Sequence, residues 1–267
     1  MQKVKKADAP MVHMSHIRKV FNPGSVNERR VFDDFSLSIQ KGDFVSVVGS
    51  NGSGKTTMLN LICGSFPIDG GYIEVGGARM DKLSEHQRAR VIGRVFQDPA
   101  KGTCASLTIM ENMALAEHKN KPYLLTKGVN RKRMDAYRAM LEPLGMGLEN
   151  HLGIQVGSLS GGQRQALALL ISTMTPIDLL ILDEHTAALD PRSSETVMAL
   201  TERVVREKKV TTLMVTHNLR FAVEYGNRLI MMHQGQAVVD AADAARDAYP
   251  VEELLRIFSE ISVELGN

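Results

Sequence analysis

An α/β fold is predicted by three features of the 267-residue sequence. Strand-like and helix-like segments alternate over the second half, which implies a parallel sheet with helices on its faces. Residues 11–48 read instead as short strands separated by turns, a pattern suited to antiparallel pairing. From about residue 97 to 158 the apolar spacing turns helical and offers no strand candidates.

In chain order, Val12 to Phe21 is the first predicted strand, and Asn22-Pro23-Gly24-Ser25-Val26-Asn27 is the turn after it. The alternating Phe35-Ser36-Leu37-Ser38-Ile39 and the apolar run Phe44 to Val48 give two more strands, the second buried. A glycine loop and a helix follow, then strands near Tyr72 to Val75 and Val91 to Phe96. In the helical block, Thr108-Ile109-Met110-Glu111 fits a capping box, and Arg131 to Leu144 keeps helical spacing up to Gly145. Leu179 to Leu182, a helix after Pro191, Val210 to Val215, Leu219 to Tyr225 and Arg228 to Met232 then alternate. Val251 to Phe258 has the pattern of an amphipathic terminal helix.

Composition narrows the functional class. With 43% hydrophobic and 23% charged residues the chain can bury a globular core. A net charge of +2, with no basic cluster interleaved with aromatics, gives no sign of a nucleic-acid partner. Two cysteines, Cys63 and Cys104, are too few for a disulfide framework and fit a reducing, cytoplasmic setting. The basic start Met1-Gln2-Lys3-Val4-Lys5-Lys6 leads into Ala7-Asp8-Ala9-Pro10 rather than an apolar run, so it does not read as a signal peptide. No window reaches the roughly 18 apolar residues of a membrane span, so work at a membrane would need another chain to hold this one there.

Two motifs carry chemistry. Gly49-Ser50-Asn51-Gly52-Ser53-Gly54-Lys55-Thr56-Thr57 matches G-x-x-x-x-G-K-[ST] between a strand and a helix. Its backbone N–H groups would converge on phosphate oxygens, Lys55 would reach the β- and γ-phosphates, and the Thr56 hydroxyl would face Mg²⁺. Leu179-Leu180-Ile181-Leu182-Asp183-Glu184 supplies the acidic strand end such a loop needs. Asp183 would hold Mg²⁺ through water, and Glu184 would be the base that activates an attacking water.

A third stretch, Leu159-Ser160-Gly161-Gly162-Gln163, starts an apolar helix with two glycines, each about 1 kcal/mol worse than alanine in a helix interior. An anion approaching the exposed N–H groups and the Ser160 hydroxyl would explain them, and so would tight packing. Here the sequence resembles the ATP-binding cassette family, whose signature LSGGQ is complete and whose motifs occur in order over residues 11–240. The resemblance implies a P-loop NTPase with a RecA-like core, an N-terminal antiparallel β subdomain and a helical subdomain inserted at about 100–165. Residues 241–267 form a helical tail beyond it.

Further roles are implied by the resemblance alone. Gln97 in Phe96-Gln97-Asp98-Pro99 would touch Mg²⁺ or the attacking water; His217 in Val215-Thr216-His217-Asn218 would contact the γ-phosphate. Phe21 would stack on adenine. Asp190 of Ala188-Leu189-Asp190 belongs to a loop that crosses to a partner subunit, and it also suits a cap for the helix at Pro191. The family usually has Pro after its acidic pair; this chain has His185, expected as an exposed loop residue.

The implied assembly is a head-to-tail pair of copies, each phosphate loop holding ATP against the other copy's signature. The helical subdomain would dock on an integral membrane permease, with Met110, Met113, Met134, Met140 and Met146 either in its core or on the docking face. Phe21-Asn22-Pro23-Gly24-Ser25-Val26-Asn27-Glu28, Phe96-Gln97-Asp98-Pro99, Gly102-Thr103 and Asp183-Glu184-His185-Thr186-Ala187-Ala188-Leu189-Asp190 resemble a bacterial importer group with tryptophan/tyrosine-type solute-binding proteins, which implies uptake of a small molecule such as an amino acid. An ATPase subunit on the cytoplasmic side of the membrane is thus implied, with a solute-binding protein as indirect partner. An exporter, a lipid-extraction ATPase or a soluble ATPase of the same family is the alternative reading.

Overall fold

The computed structural model describes residues 9–120 and 128–264. The basic start Met1–Lys6 and the last three residues of the tail lie outside them. The chain divides into two compact units, Met1–Ala89 with Lys209–Asn267, and Arg90–Lys208.

In chain order, the first unit opens with β1 (Val12–Phe21), β2 (Arg29–Ile39), β3 (Phe44–Gly49), α1 (Lys55–Cys63), β4 (Gly70–Val75), β5 (Ala78–Arg79) and α2 (Glu85–Arg88). The second unit holds β6 (Ile92–Val95), α3 (Ile109–His118), α4 (Met134–Leu141), α5 (Gly161–Thr173), β7 (Leu179–Asp183) and α6 (Pro191–Lys208). The first unit resumes with β8 (Thr211–Val215), α7 (Leu219–Glu224), β9 (Arg228–His233), β10 (Gln236–Ala242) and α8 (Val251–Glu264). Every predicted strand is present; β5, α2 and β10 are additional.

In the first unit, β2-β1-β4-β5 make an antiparallel sheet. Separately, β3 lies between β8 and β9 and is parallel to both, with β10 antiparallel to β9. All six residues of β3 are buried, which explains why its sequence is continuously apolar rather than alternating. The parallel pairing of β3 and β8 also sends the loops that follow them out of the same sheet edge. Those two loops carry the glycine motif and His217.

In the second unit β6 and β7 pair in parallel, Val95 opposite Leu182, so the Gln97 loop and the acidic pair leave them together. The helical block forms as expected: Thr108 and Glu111 close the capping box, with Glu111 Oε2 accepting from the Thr108 N–H at 2.7 Å. Gly145, at φ 66°, ends the segment that includes α4. Met113 is fully buried, while Met110, Met134, Met140 and Met146 are half-buried; none of the five is exposed.

Candidate functional site

The phosphate-loop sequence dictates its own geometry. Gly49 ends β3 opposite Met232 of β9, and a Cβ there would stand 2.2 Å from the Met232 carbonyl oxygen. Gly54 caps α1 in left-handed backbone at φ 106°, with the Phe32 ring against the place a Cβ would take. No side chain caps α1 and no acidic residue sits in its first turn. Its leading N–H groups therefore remain as donors, and the helix dipole adds positive potential. Lys55 is buried, its ammonium donating to the Gly49 carbonyl at 2.7 Å and the Ser50 carbonyl at 2.9 Å. These bonds hold the cation in the centre of the loop. Asn51, Gly52 and Thr56 are exposed and Thr57 is half-buried, whereas Ser53 is buried under the loop.

His217 follows β8 on an exposed turn. Thr216 donates its N–H to the Val47 carbonyl of β3, and Asn218 caps α7 by accepting from the Phe221 N–H at 3.2 Å. The turn is thus fixed on both sides of the imidazole. Gly49, Ser50, Asn51, Thr216 and His217 line one cavity of about 270 Å³. Phe21, the last residue of β1, is half-buried; its ring meets Phe66 edge-on at 5.4 Å and lies 5.2 Å from the Lys19 ammonium. Such a braced ring can offer a face to a planar base.

The acidic pair lies in the second unit. Asp183 is clamped by Arg94 of β6, guanidinium to Oδ2 at 2.7 Å, with both side chains about one-eighth exposed. Arg94 also stacks on Phe96 at 4.6 Å. Sequence reasoning missed Arg94, although one cation in the apolar run Val91 to Phe96 was a readable sign that a buried carboxylate faced it. Glu184 adopts left-handed backbone at φ 50°, rare for a non-glycine residue, and turns the chain sharply out of β7. Gln97 is exposed just beyond β6. Its loop is tied to α5, because buried Gln165 donates to the Phe96 carbonyl at 3.0 Å and Arg164 donates to the Thr103 hydroxyl at 2.9 Å.

The expectation for His185 is overturned. Its side chain is buried, with Nε2 3.1 Å from the Thr201 hydroxyl of α6. Because that hydroxyl donates to the Val197 carbonyl at 2.8 Å, it accepts from His185, which fixes the Nε2–H tautomer. Burial pushes the imidazole down to about 4, so it is neutral at pH 7.

At the signature, Ser160 caps α5 by accepting from the Gln163 N–H, and Gln163 Oε1 accepts from the Ser160 N–H at 3.1 Å. The Ser160 hydroxyl spends a lone pair on this cap and keeps its hydrogen as a donor. Space at both glycines is used within the unit: a Cβ on Gly161 would meet Leu189 at 3.2 Å, and one on Gly162 would meet Ser193 at 3.1 Å. Tight packing, one of the two explanations open for these glycines, therefore accounts for part of their placement. Ser160, Gly162 and Gln163 line a cavity of about 380 Å³ with Met146 and Arg192. Asp190 caps α6, accepting from the Ser193 N–H at 3.0 Å, and the Ser193 hydroxyl and backbone hold its carboxyl below the usual range.

A buried lysine in a glycine loop between a parallel strand and an uncapped helix defines a P-loop nucleoside triphosphatase. The ABC transporter family matches residues 32–187, more than half the chain, and the protein belongs to that family. It is 43% identical to a tyrosine transport ATP-binding protein of Clostridioides difficile (strain R20291), over 93% of this chain and 98% of the relative. It is 29% identical to the phosphonates import ATP-binding protein PhnC of Hyphomonas neptunium (strain ATCC 15444), over 90% of each. Among solved structures, the dimeric ATP-binding cassette MJ0796 in a post-hydrolysis state bound to ADP and Pi superposes with a TM-score of 0.73. The two are 26% identical, over 87% of this chain and 98% of that one. The fold is that of an ABC ATPase cassette, and the protein is the ATP-hydrolysing subunit of an ABC transporter. No described helix is long and apolar enough to cross a membrane.

Proposed function

We propose that the chain powers the import of an aromatic amino acid, tyrosine or a close analogue, through a separate membrane permease served by a solute-binding protein. The observation that carries this reading is the 43% identity, over nearly the full length of both chains, to a protein named for tyrosine transport. The chain would sit peripherally on the cytoplasmic face of the membrane. Residues 11–240 would be the nucleotide-binding domain, with about 100–165 as the inserted helical subdomain and 241–267 as the tail.

The working form is a dimer of two copies, as in the dimeric cassette MJ0796. Phe21 stacks on adenine, and residues 49–57 bind the phosphates through backbone N–H groups and Lys55. Mg²⁺ would be held by hard oxygen donors: the exposed Thr56 hydroxyl of the first unit, the exposed Gln97 amide oxygen of the second, and, through water, the Asp183 carboxylate that Arg94 clamps. Bound there, the ion would neutralise charge on the β- and γ-phosphates. Glu184 takes the proton of the attacking water, and His217 steadies the γ-phosphate. Ser160, Gly161, Gly162 and Gln163 of one copy present donors to the γ-phosphate held by the other, with Asp190 on the crossing loop. Loss of that phosphate weakens the contact, so hydrolysis opens the dimer by differential affinity.

Two experiments test this. Glu184→Gln should keep ATP affinity, lower kcat by about 10²–10⁴-fold and accumulate an ATP-bound dimer; normal turnover removes Glu184 as the base. Cells deleted for the chain should lose uptake of labelled tyrosine and regain it with the wild-type chain but not with Glu184→Gln. Unchanged uptake of aromatic amino acids would sink the substrate assignment while leaving the ATPase intact.

A further inference from the structure

The tail is packed into the nucleotide-binding unit. Helix α8 presents Leu254, Ile257 and Phe258, at helical spacing, to a core of Val48, Ala222, Leu229 and Met231. Leu254 is completely buried, and Leu219 and Val223 of α7 pack against the same cluster. The opposite face of α8 is closed by ion pairs from Arg256 to Glu253 and Glu260.

Two members of this cluster matter for chemistry because of where they sit in the chain. Val48 immediately precedes the phosphate loop, and Leu219 begins the helix two residues after His217. One turn of helix beyond Leu254, Phe258 lines the same cavity of about 270 Å³ as Gly49, Ser50, Asn51, Thr216 and His217. An aromatic from a segment more than 200 residues downstream of the glycine loop thus forms one wall of the cavity that His217 also lines. Packed interiors transmit such contacts with little slack.

We propose that Phe258 is a positioning residue for ATP hydrolysis, holding the His217 turn against the phosphate loop. This rests on the ATPase roles given above to Lys55 and His217. Phosphate binding relies on the glycine loop and Lys55, which Phe258 does not replace, so its loss should affect turnover more than affinity. Misplacement of a catalytic group by about 1 Å can cost up to about a hundredfold.

The test is a double-mutant cycle on the full chain, measuring kcat and, separately, ATP affinity by a fluorescent analogue. Phe258→Ala should lower kcat about tenfold or more while leaving affinity within about threefold; Phe258→Met, which restores bulk, should recover most of the loss. His217→Ala with Phe258→Ala should be no slower than His217→Ala alone, since a residue acting through another adds nothing once that residue is gone. Val239→Ala, in the same core cluster on β10, controls for stability. Wild-type kcat in Phe258→Ala, an additive double mutant, or an equal loss in Val239→Ala overturns the proposal. If His217→Ala itself turns over normally, the role given to His217 fails first and the proposal falls with it.

Discussion

The two glycine-rich helix starts, at α1 and at α5, solve different problems with similar residues. At α1 the glycines serve backbone conformation and a buried cation; no side chain caps the helix, and its leading N–H groups stay available. At α5 the helix is capped by its own Ser160 and Gln163, has no acidic residue in its first turn, and uses its glycines to admit Leu189 and Ser193. The first is built to hold an anion by itself. The second is a stable surface with a single spare hydroxyl proton and a few N–H donors, suited to the anion that the proposed dimer would bring to it from another copy. Glycine at a helix start is therefore ambiguous until its capping partners are known.

Ways to break that comparison run from large effects to small. Lys55→Ala should weaken ATP binding about a hundredfold or more, since a buried charge-assisted contact is lost where each tenfold is about 1.4 kcal/mol. Undiminished affinity in a titration would show that the α1 site does not depend on its cation.

The second unit carries a built-in acid sensitivity at His185. His185 takes up a proton near 6.5 when unfolded but only near 4 when folded. Protonation thus favours the unfolded chain, and stability present above pH 6.5 should fall progressively as pH drops toward 4, by about 3 kcal/mol in all. Urea midpoints between pH 7 and pH 4.5 should therefore decline more steeply for the wild type than for His185→Pro. Parallel profiles would mean the imidazole is not shielded.

The finest test separates the two uses of Ser160. Aspartate caps helices as well as serine does, and losing the cap altogether costs about 1 kcal/mol. Ser160→Asp should melt within a few degrees of the wild type yet fail to form an ATP-dependent dimer, because its charge repels the γ-phosphate. ATP-dependent dimerisation of that variant, read by light scattering, would reduce the signature to a cap.

Much of the fold was legible because contiguous sequence states it. The buried run Phe44 to Val48, the capping box at Thr108 and the stop at Gly145 are each decided within a few residues. Strand β10 was not, since Gln236–Ala242 is rich in alanine, a weak strand former, and becomes a strand only by pairing with β9. His185 misled for a related reason: a histidine in a loop-like stretch looks exposed until Thr201 of α6 is brought over it.

The sequence by itself determined the order of motifs, the residue types able to hold phosphate and activate water, and the elements that carry them. Those are local properties, set by backbone conformation and side-chain chemistry over a few positions. Only the tertiary structure decided that Arg94 clamps Asp183 across 89 residues, that Ser193 fills the space beside Gly162, and that Phe258 lines the same cavity as His217. Each of these depends on which segments pack together, and packing is selected by the burial of many side chains at once rather than by any one stretch of chain.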